Sequence, residues 1–201
     1  MTEAASSNLF FPHMQFPNVS ALDDRQQEIV NRWDTFPIAD PPRLNALKPP
    51  EEEPTRHGAG GQNCSACTID ESQAIWSNEN WIVTQWSQPR ALPSMFVAPR
   101  AHHDLPDLPL ELSSQLGAIL QIVVNAVAEL DGIERAHVEA RGDGGEHLHW
   151  FILGRPTGAL QLRGTFLPLW DMLLPPLPEA VWKAVAQQVR TNILSGHASL
   201  D

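Results

Sequence analysis

The chain has 201 residues, 42% of them hydrophobic, and a formal net charge of -11. That is one domain of ordinary size with extensions, with enough apolar content for a core, which excludes global disorder. The acidic balance disfavours DNA or RNA as a partner, because like charge repels a phosphate backbone. A small phosphate-bearing ligand stays open, since a few arginines and backbone amides suffice to hold it. No uninterrupted apolar run reaches the roughly 18 residues of a membrane span. Met1 to Gln15 lacks a basic, then apolar, secretory pattern, so the cytoplasm is the expected location.

Residues 1–60 read as an N-terminal extension. Phe11-Pro12, Phe16-Pro17, Pro41-Pro42, Pro49-Pro50, the acidic Glu51 to Glu53 and the glycines of Gly58 to Gly61 mark turns and linkers. One helix is expected there, from Ala21 to Trp33, with Asp23 and Asp24 in its first turn. The texture changes at Asn63, and residues 61–201 read as the folded domain with a C-terminal helical extension.

Trp81 to Trp86 and Met95 to Pro99 are predicted strands, separated by a turn at Pro89 to Pro93. Leu108 to Leu130 is the clearest helix. Leu112, Leu116, Ile119, Leu120, Val123, Val127 and Leu130 share one face, Pro109 suits the first turn and Gly132 the stop. Arg135 to Ala140 and His147 to Leu153 read as a hairpin closed by a tight Arg141-to-Gly145 turn. Gln161 to Leu174 reads as loop or short strand, and Pro178 to Ile193 as a final helix. Strands, one long helix and more strands predict an α+β domain on an antiparallel sheet.

The chemistry gathers in two places. On a strand, His147 and His149 share a face about 7 Å apart, which suits two jobs in one site better than one metal held by both. Neutral imidazole attacks phosphorus well, and backbone N–H groups of Gly142, Gly144 and Gly145 could receive phosphate oxygens. A glycine-rich hairpin with two incidental histidines is the competing interpretation. The second place is Cys64-x-x-Cys67, the only cysteines in the chain. Zinc needs four ligands, so two histidines must complete the set. A site of Cys64, Cys67, His102 and His147 would pin the cysteine loop to the hairpin, with His103 as the alternative to His102. A redox pair or two idle thiols are the other options. A thioredoxin-like pair, however, should open a helix, which Thr68 to Ser72 does not resemble. His137 reads as packing, and His13, His57 and His197 carry no signal.

These pieces together resemble the histidine-triad superfamily. Gly145 to Pro156 is similar to its His-φ-His-φ-His-φ-φ strand. Pro99-Arg100-Ala101-His102 is similar to its Pro-Lys/Arg-x-His segment, followed by a helix entered through Leu105 to Leu108. Cys64 and Cys67 match the CxxC of many members, and the order of ligands also resembles the galactose-1-phosphate uridylyltransferase branch. The resemblance spans Asn63 to Pro156. It implies a histidine-triad-like fold, a structural zinc on Cys64, Cys67, His102 and His147, and His149 as the nucleophile. His149 would attack the α-phosphorus of a small-molecule nucleotide, such as a dinucleoside polyphosphate or a nucleoside phosphoramidate, and form a nucleotidyl-histidine. Water or another acceptor would release the nucleotide. Ile75, Trp76 and Trp81 fall where the family's base pocket lies, although large aromatics there are more often core. Phe151 replaces the third histidine, and Arg141, Asp143 and Glu146 replace the family's usual upstream elements. Phe151 cannot donate a hydrogen bond; Arg141 or Arg155 could supply a donor instead. Many members of the superfamily are two-fold dimers; the apolar helix could serve a homodimer here and the N-terminal extension could block it, so the oligomeric state stays open. The competing function is a catalytically weak, zinc-stabilised nucleotide-binding module; the third option is a structural zinc domain alone.

Overall fold

The computed structural model describes residues 52–196, together with Asp24. The helix expected over 21–33 therefore lies outside the described residues apart from Asp24. The chain divides into two units, Met1–Pro54 and Thr55–Asp201, and the second holds all the elements named below.

Its centre is a five-stranded antiparallel sheet: β1 (Trp76–Ser77), β2 (Trp81–Gln85), β3 (Ser94–Pro99), β4 (Ile133–Ala140) and β5 (Trp150–Pro156). The spatial order is β1-β2-β3-β5-β4. Between β3 and β4 runs α1 (Leu110–Ala128); α2 (Leu167–Leu173) and α3 (Glu179–Gly196) follow β5. This is the expected α+β arrangement.

Alternation along the strands splits the sheet into two faces. Trp81, Val83, Met95, Val97 and Ile152 turn toward α1 and join its Ile119, Ile122, Val123, Ala126 and Val127 in one buried cluster, with Val189 and Ile193 of α3. Every residue of the predicted α1 stripe packs into or against this cluster. Burying such a side chain stabilises the fold by about 1.5–3 kcal/mol. By length and composition α1 could cross a membrane, with mean hydropathy 1.4, but its apolar stripe packs on the sheet. Gly132 then turns the chain back with φ 78°, a conformation only glycine adopts freely.

The opposite face carries Phe96 and Phe151, which are neighbours across β3 and β5. Toward its lower end, Leu92, Leu153 and Leu167 form a second small core.

Three expectations are corrected. β5 starts at Trp150, not at His147, and pairs with β4 as Ala140↔Trp150. The connection is thus 141–149, a broad loop instead of a tight turn. Its backbone groups bond elsewhere: Gly144 O accepts from His57 N at 2.9 Å, Glu146 N donates to His57 O at 3.0 Å, and Leu148 N donates to His103 O at 2.7 Å. Those bonds hold His147 and His149 in a fixed shoulder beside the sheet. Lastly, Leu167–Leu173 is helical where a loop or strand was expected. Pro168 sits in its first turn, where a missing N–H costs nothing.

Asp171 anchors α2. It is buried, accepts from Leu92 N at 2.9 Å and from Arg90 Nε at 3.0 Å, and pairs with Arg90 Nη2 at 3.0 Å. Asp171→Ala leaves a buried N–H and a guanidinium without their acceptor. We expect a loss of roughly 2–3 kcal/mol, a fall in Tm of about 5–10 °C, with the metal content unchanged. Thermal unfolding followed by circular dichroism measures it.

Candidate functional site

Four ligand atoms converge from three parts of the chain. Cys64 and Cys67 come from the loop before β1, His102 from the end of β3 and His147 from the shoulder before β5. One ligand atom from each lies within 4.8 Å of all the others. Cys64 Sγ and Cys67 Sγ are each 3.4 Å from His147 Nδ1, and Cys67 Sγ is 3.5 Å from His102 Nδ1. A tetrahedron with Zn–S of about 2.3 Å and Zn–N of about 2.0 Å has edges of roughly 3.3–3.8 Å. The donor set and its spacing therefore fit a structural zinc. The helical turns after the cysteines, Ala66–Thr68 and Glu71–Gln73, are short 3-10 turns, so the redox CxxC option has no helix to open. His103 takes no part in the cluster: its ring faces Asp107 at 3.9 Å.

The ring of His147 is oriented by its far nitrogen. Nε2 donates to the carbonyl of Pro99 at 2.8 Å, which leaves the Nδ1 lone pair toward the thiols. Fixing a ligand's tautomer through its other nitrogen is how metal sites are commonly tuned. Burial pushes His147 below the usual imidazole range, which keeps that lone pair free. Burial also raises the Cys64 thiol, but hydrogen bonds from Cys67, His102 and the backbone of Ala66 outweigh it, and Cys64 ends below its ordinary value. Cys67 goes the other way: burial and the adjacent Cys64 push it up to about 11. The pair surrenders one proton readily and the second with difficulty, as coupled thiols do. A dication satisfies both sulfurs once the second has gone.

His149 has the complementary arrangement. Its Nδ1 donates to the carbonyl of His147 at 2.7 Å, so Nε2 carries the lone pair. The ring lies beside Gly145, where a Cβ would come 3.7 Å from His149 Cε1. It also meets Phe151, centroids 5.1 Å apart, and Phe96 at 6.3 Å. Trp86 completes an aromatic patch, 4.5 Å from Phe96 and 6.0 Å from Phe151. An open cleft of about 1420 Å³ runs over this patch, lined among others by Thr84, Trp86, Phe96, Gly144, Gly145, His149 and Phe151.

The other predicted contacts divide. Gly144 and Gly145 line the cleft. Arg141 is exposed, pairs with Glu139 at 3.1 Å and lies over the Phe151 ring at 5.5 Å. Arg155 is buried on the far end of β5, opposite Arg135, with Nη1 3.5 Å from the Ala159 carbonyl. Trp76 packs against the main core, and Trp81 is wholly buried with Nε1 donating to Gln115. Of the three suggested base-pocket residues, Ile75 is the one at the cleft. His137 is half-buried on β4, and burial together with Arg155 and Arg135 holds it below the usual range.

One further group leaves no mark in the sequence. Arg56 donates to Asp104 Oδ2 and, at 3.1 Å, to the Gly142 carbonyl, and stands 3.7 Å from Glu146 Oε2. Glu146 in turn accepts from Gly60 N at 2.8 Å and faces His102 Nε2 at 3.7 Å. This network ties residues 56–60 to the shoulder. Gly58, at φ 80°, is needed there, since a Cβ would meet Cys64 Sγ at 3.3 Å.

No protein-family model matches the chain, and no curated protein matches it. Solved structures do. The Zn-bound histidine triad family protein of Mycobacterium smegmatis superposes with TM-score 0.51 at 19% identity, over 66% of this chain and 94% of that one. The hypothetical histidine triad nucleotide-binding protein of Sulfolobus tokodaii gives 0.51 at 14% identity, over 66% and 93%. A uridylyltransferase mutant gives 0.54 at 18% identity, over 71% of this chain and 49% of that one. The chain thus has the histidine-triad fold, and spans about half the length of the uridylyltransferase.

Chelation should release the cysteine loop from His102 and His147. We expect one zinc per chain by elemental analysis, and a Tm lowered by on the order of 10 °C on metal removal. Cys64→Ser should lose the metal and show the same drop without chelator. A full-strength Tm in the metal-free protein would show that the four side chains do not carry that stability.

Proposed function

We propose that this chain is a nucleotidyl hydrolase or transferase of the histidine-triad type, acting at the α-phosphate of a nucleotide through His149. The observation that carries the proposal is the orientation of that imidazole. Its Nδ1–H is committed to the His147 carbonyl, so the nucleophilic Nε2 is the nitrogen left for a ligand. As Nε2 attacks phosphorus, positive charge grows on the ring. The carbonyl on Nδ1–H stabilises that charge where it develops. Gly144 and Gly145 supply the narrow backbone beside the ring that an approaching phosphate requires. Arg141 is the nearer of the two candidate arginines, resting over Phe151 at the rim of the patch.

The base is assigned to the aromatic patch of Trp86, Phe96 and Phe151, with Ile75 further along the cleft; flat apolar surface binds a nucleobase by stacking. Zinc on Cys64, Cys67, His102 and His147 supplies cross-linking and not reactivity, because four protein ligands leave no open position. The likeness to a nucleotide-binding protein and to a uridylyltransferase supports this substrate class.

A binding module without turnover is the second reading, and Phe151 favours it, since phenylalanine gives no proton to a leaving group. One experiment separates the two. The zinc-loaded protein is mixed with ATP, GTP and UDP-glucose labelled at the α-phosphorus and quenched in alkali. We expect an acid-labile label on the wild type and none on His149→Ala, which should keep its zinc and its Tm. Binding of any of the three without label on either protein would favour the module, and label on His149→Ala would overturn the assignment.

A further inference from the structure

Phe151 leaves the site one proton donor short, and the chain brings in another imidazole from outside the family-like segment. His57 forms a parallel bridge with Gly145: its N–H bonds Gly144 O at 2.9 Å and its carbonyl accepts from Glu146 N at 3.0 Å. Residues bridged in parallel register send their side chains to the same side, from backbones about 4.8 Å apart. The side in question is known at Gly145. A Cβ there would point at the His149 ring, 3.7 Å from Cε1. The His57 side chain therefore leaves its backbone on the side where the His149 ring lies. Gly145 has no side chain to come between them. Both histidines line the same cleft, and His57 is exposed to it.

The position is built, not incidental. Arg56 clamps the preceding residue to Asp104 and the Gly142 carbonyl. Gly58 seats the following one against Cys64. Glu146 holds Gly60 N. A tail histidine would have none of these anchors.

We infer that His57 is the proton donor to the leaving group, standing in for the third histidine that Phe151 replaced; this rests on the covalent-histidine reading above. Arg141 cannot fill that place, because guanidinium does not release its proton. Imidazole changes charge near neutral pH and suits the task. In the first half-reaction the Nε2–P bond of His149 forms and the bond from phosphorus to the leaving group breaks. The electron pair goes to the leaving atom, which takes the proton of the His57 imidazolium. In the second, water attacks phosphorus and gives its proton to neutral His57, while the P–N pair returns to His149. Both rings end as they began.

The test uses two substrates that differ only in their need for that proton: a nucleoside alkylphosphoramidate, whose amine cannot leave unprotonated, and the p-nitrophenyl ester of the same nucleotide, whose phenolate can. Leaving-group release is followed in a single turnover of the zinc-loaded full chain, with adenosine and with uridine as the nucleoside. His57→Ala and His57→Gln should slow amine release at least about 100-fold, and nitrophenolate release by less than about threefold. Both variants should keep zinc content and Tm. They should also retain the nucleotidyl group on His149 after nitrophenolate has gone, since the water step has lost its base. Equal slowing of both substrates would mean that His57 only shapes the loop, and no slowing would mean that it does nothing; either result overturns the proposal. If the wild type releases neither leaving group and takes no label, the covalent reading itself fails and the role of His57 falls with it. A wild type that turns over, with His149→Ala dead and His57→Ala normal, strikes the proposal for His57 alone.

Discussion

Everything at this site hangs on the convergence of Cys64, Cys67, His102 and His147. The four side chains come from three stretches far apart in sequence, and none of the four belongs to the main hydrophobic cluster. A zinc held by these ligand atoms, which lie within 4.8 Å of one another, would cross-link the cysteine loop, the segment after β3 and the approach to β5. Without such a cross-link, the 141–149 loop would be held by a few backbone hydrogen bonds and by the Arg56–Asp104–Glu146 network, all near the surface. Surface ion pairs add little by themselves. Such a metal would clamp His147, two residues before His149, and so steady the backbone carbonyl that orients the His149 ring.

The two histidines show how the same side chain is set to opposite purposes by a backbone carbonyl. His147 gives Nε2–H to Pro99 and presents Nδ1 to sulfur. His149 gives Nδ1–H to the His147 carbonyl and presents Nε2 outward. In each case one main-chain oxygen selects the tautomer, and the tautomer selects the partner. The carbonyl of His147 can do this only because the segment is not yet in the ladder. In a paired strand its backbone groups would bond to a neighbouring strand.

That also explains what was legible in the sequence. The stripe of α1 and the alternation of β2 and β3 are local periodicities, and they specify their elements directly. The metal ligands were legible through chemistry: two cysteines need two more donors. The alternation that made 147–153 look like one strand is real from Trp150 onward. It failed at His147 and His149 because their neighbours bond to His57 and His103 instead. The helix at Leu167–Leu173 was hidden by Pro168, which reads as a breaker unless it occupies the first turn. Trp76 and Trp81 drew attention as aromatics in the region of the family's base pocket, and the first went to the edge of the core and the second into it. Arg56 to Gly60 was the least legible. Glycines beside an acidic run read as linker, and a single sequence holds no hint that they bridge to residues some 86 positions later.

The residue at 151 can be understood from the face it occupies. Phe96 lies opposite it across the sheet, 4.7 Å between centroids, and Trp86 covers both. An imidazole there would bring two nitrogens onto an apolar, aromatic surface, and each would need a partner or water. Phenylalanine instead extends the stacking surface up to His149 and gives up a donor. That exchange works only if protonation chemistry can come from a different direction than the sheet. Gly145 lies against the His149 ring, and the chain bridges His57 to Gly145 on that side. A broader binding face is thus the direct consequence of phenylalanine at 151: the face alone supports binding, and turnover needs a donor from the preceding segment as well.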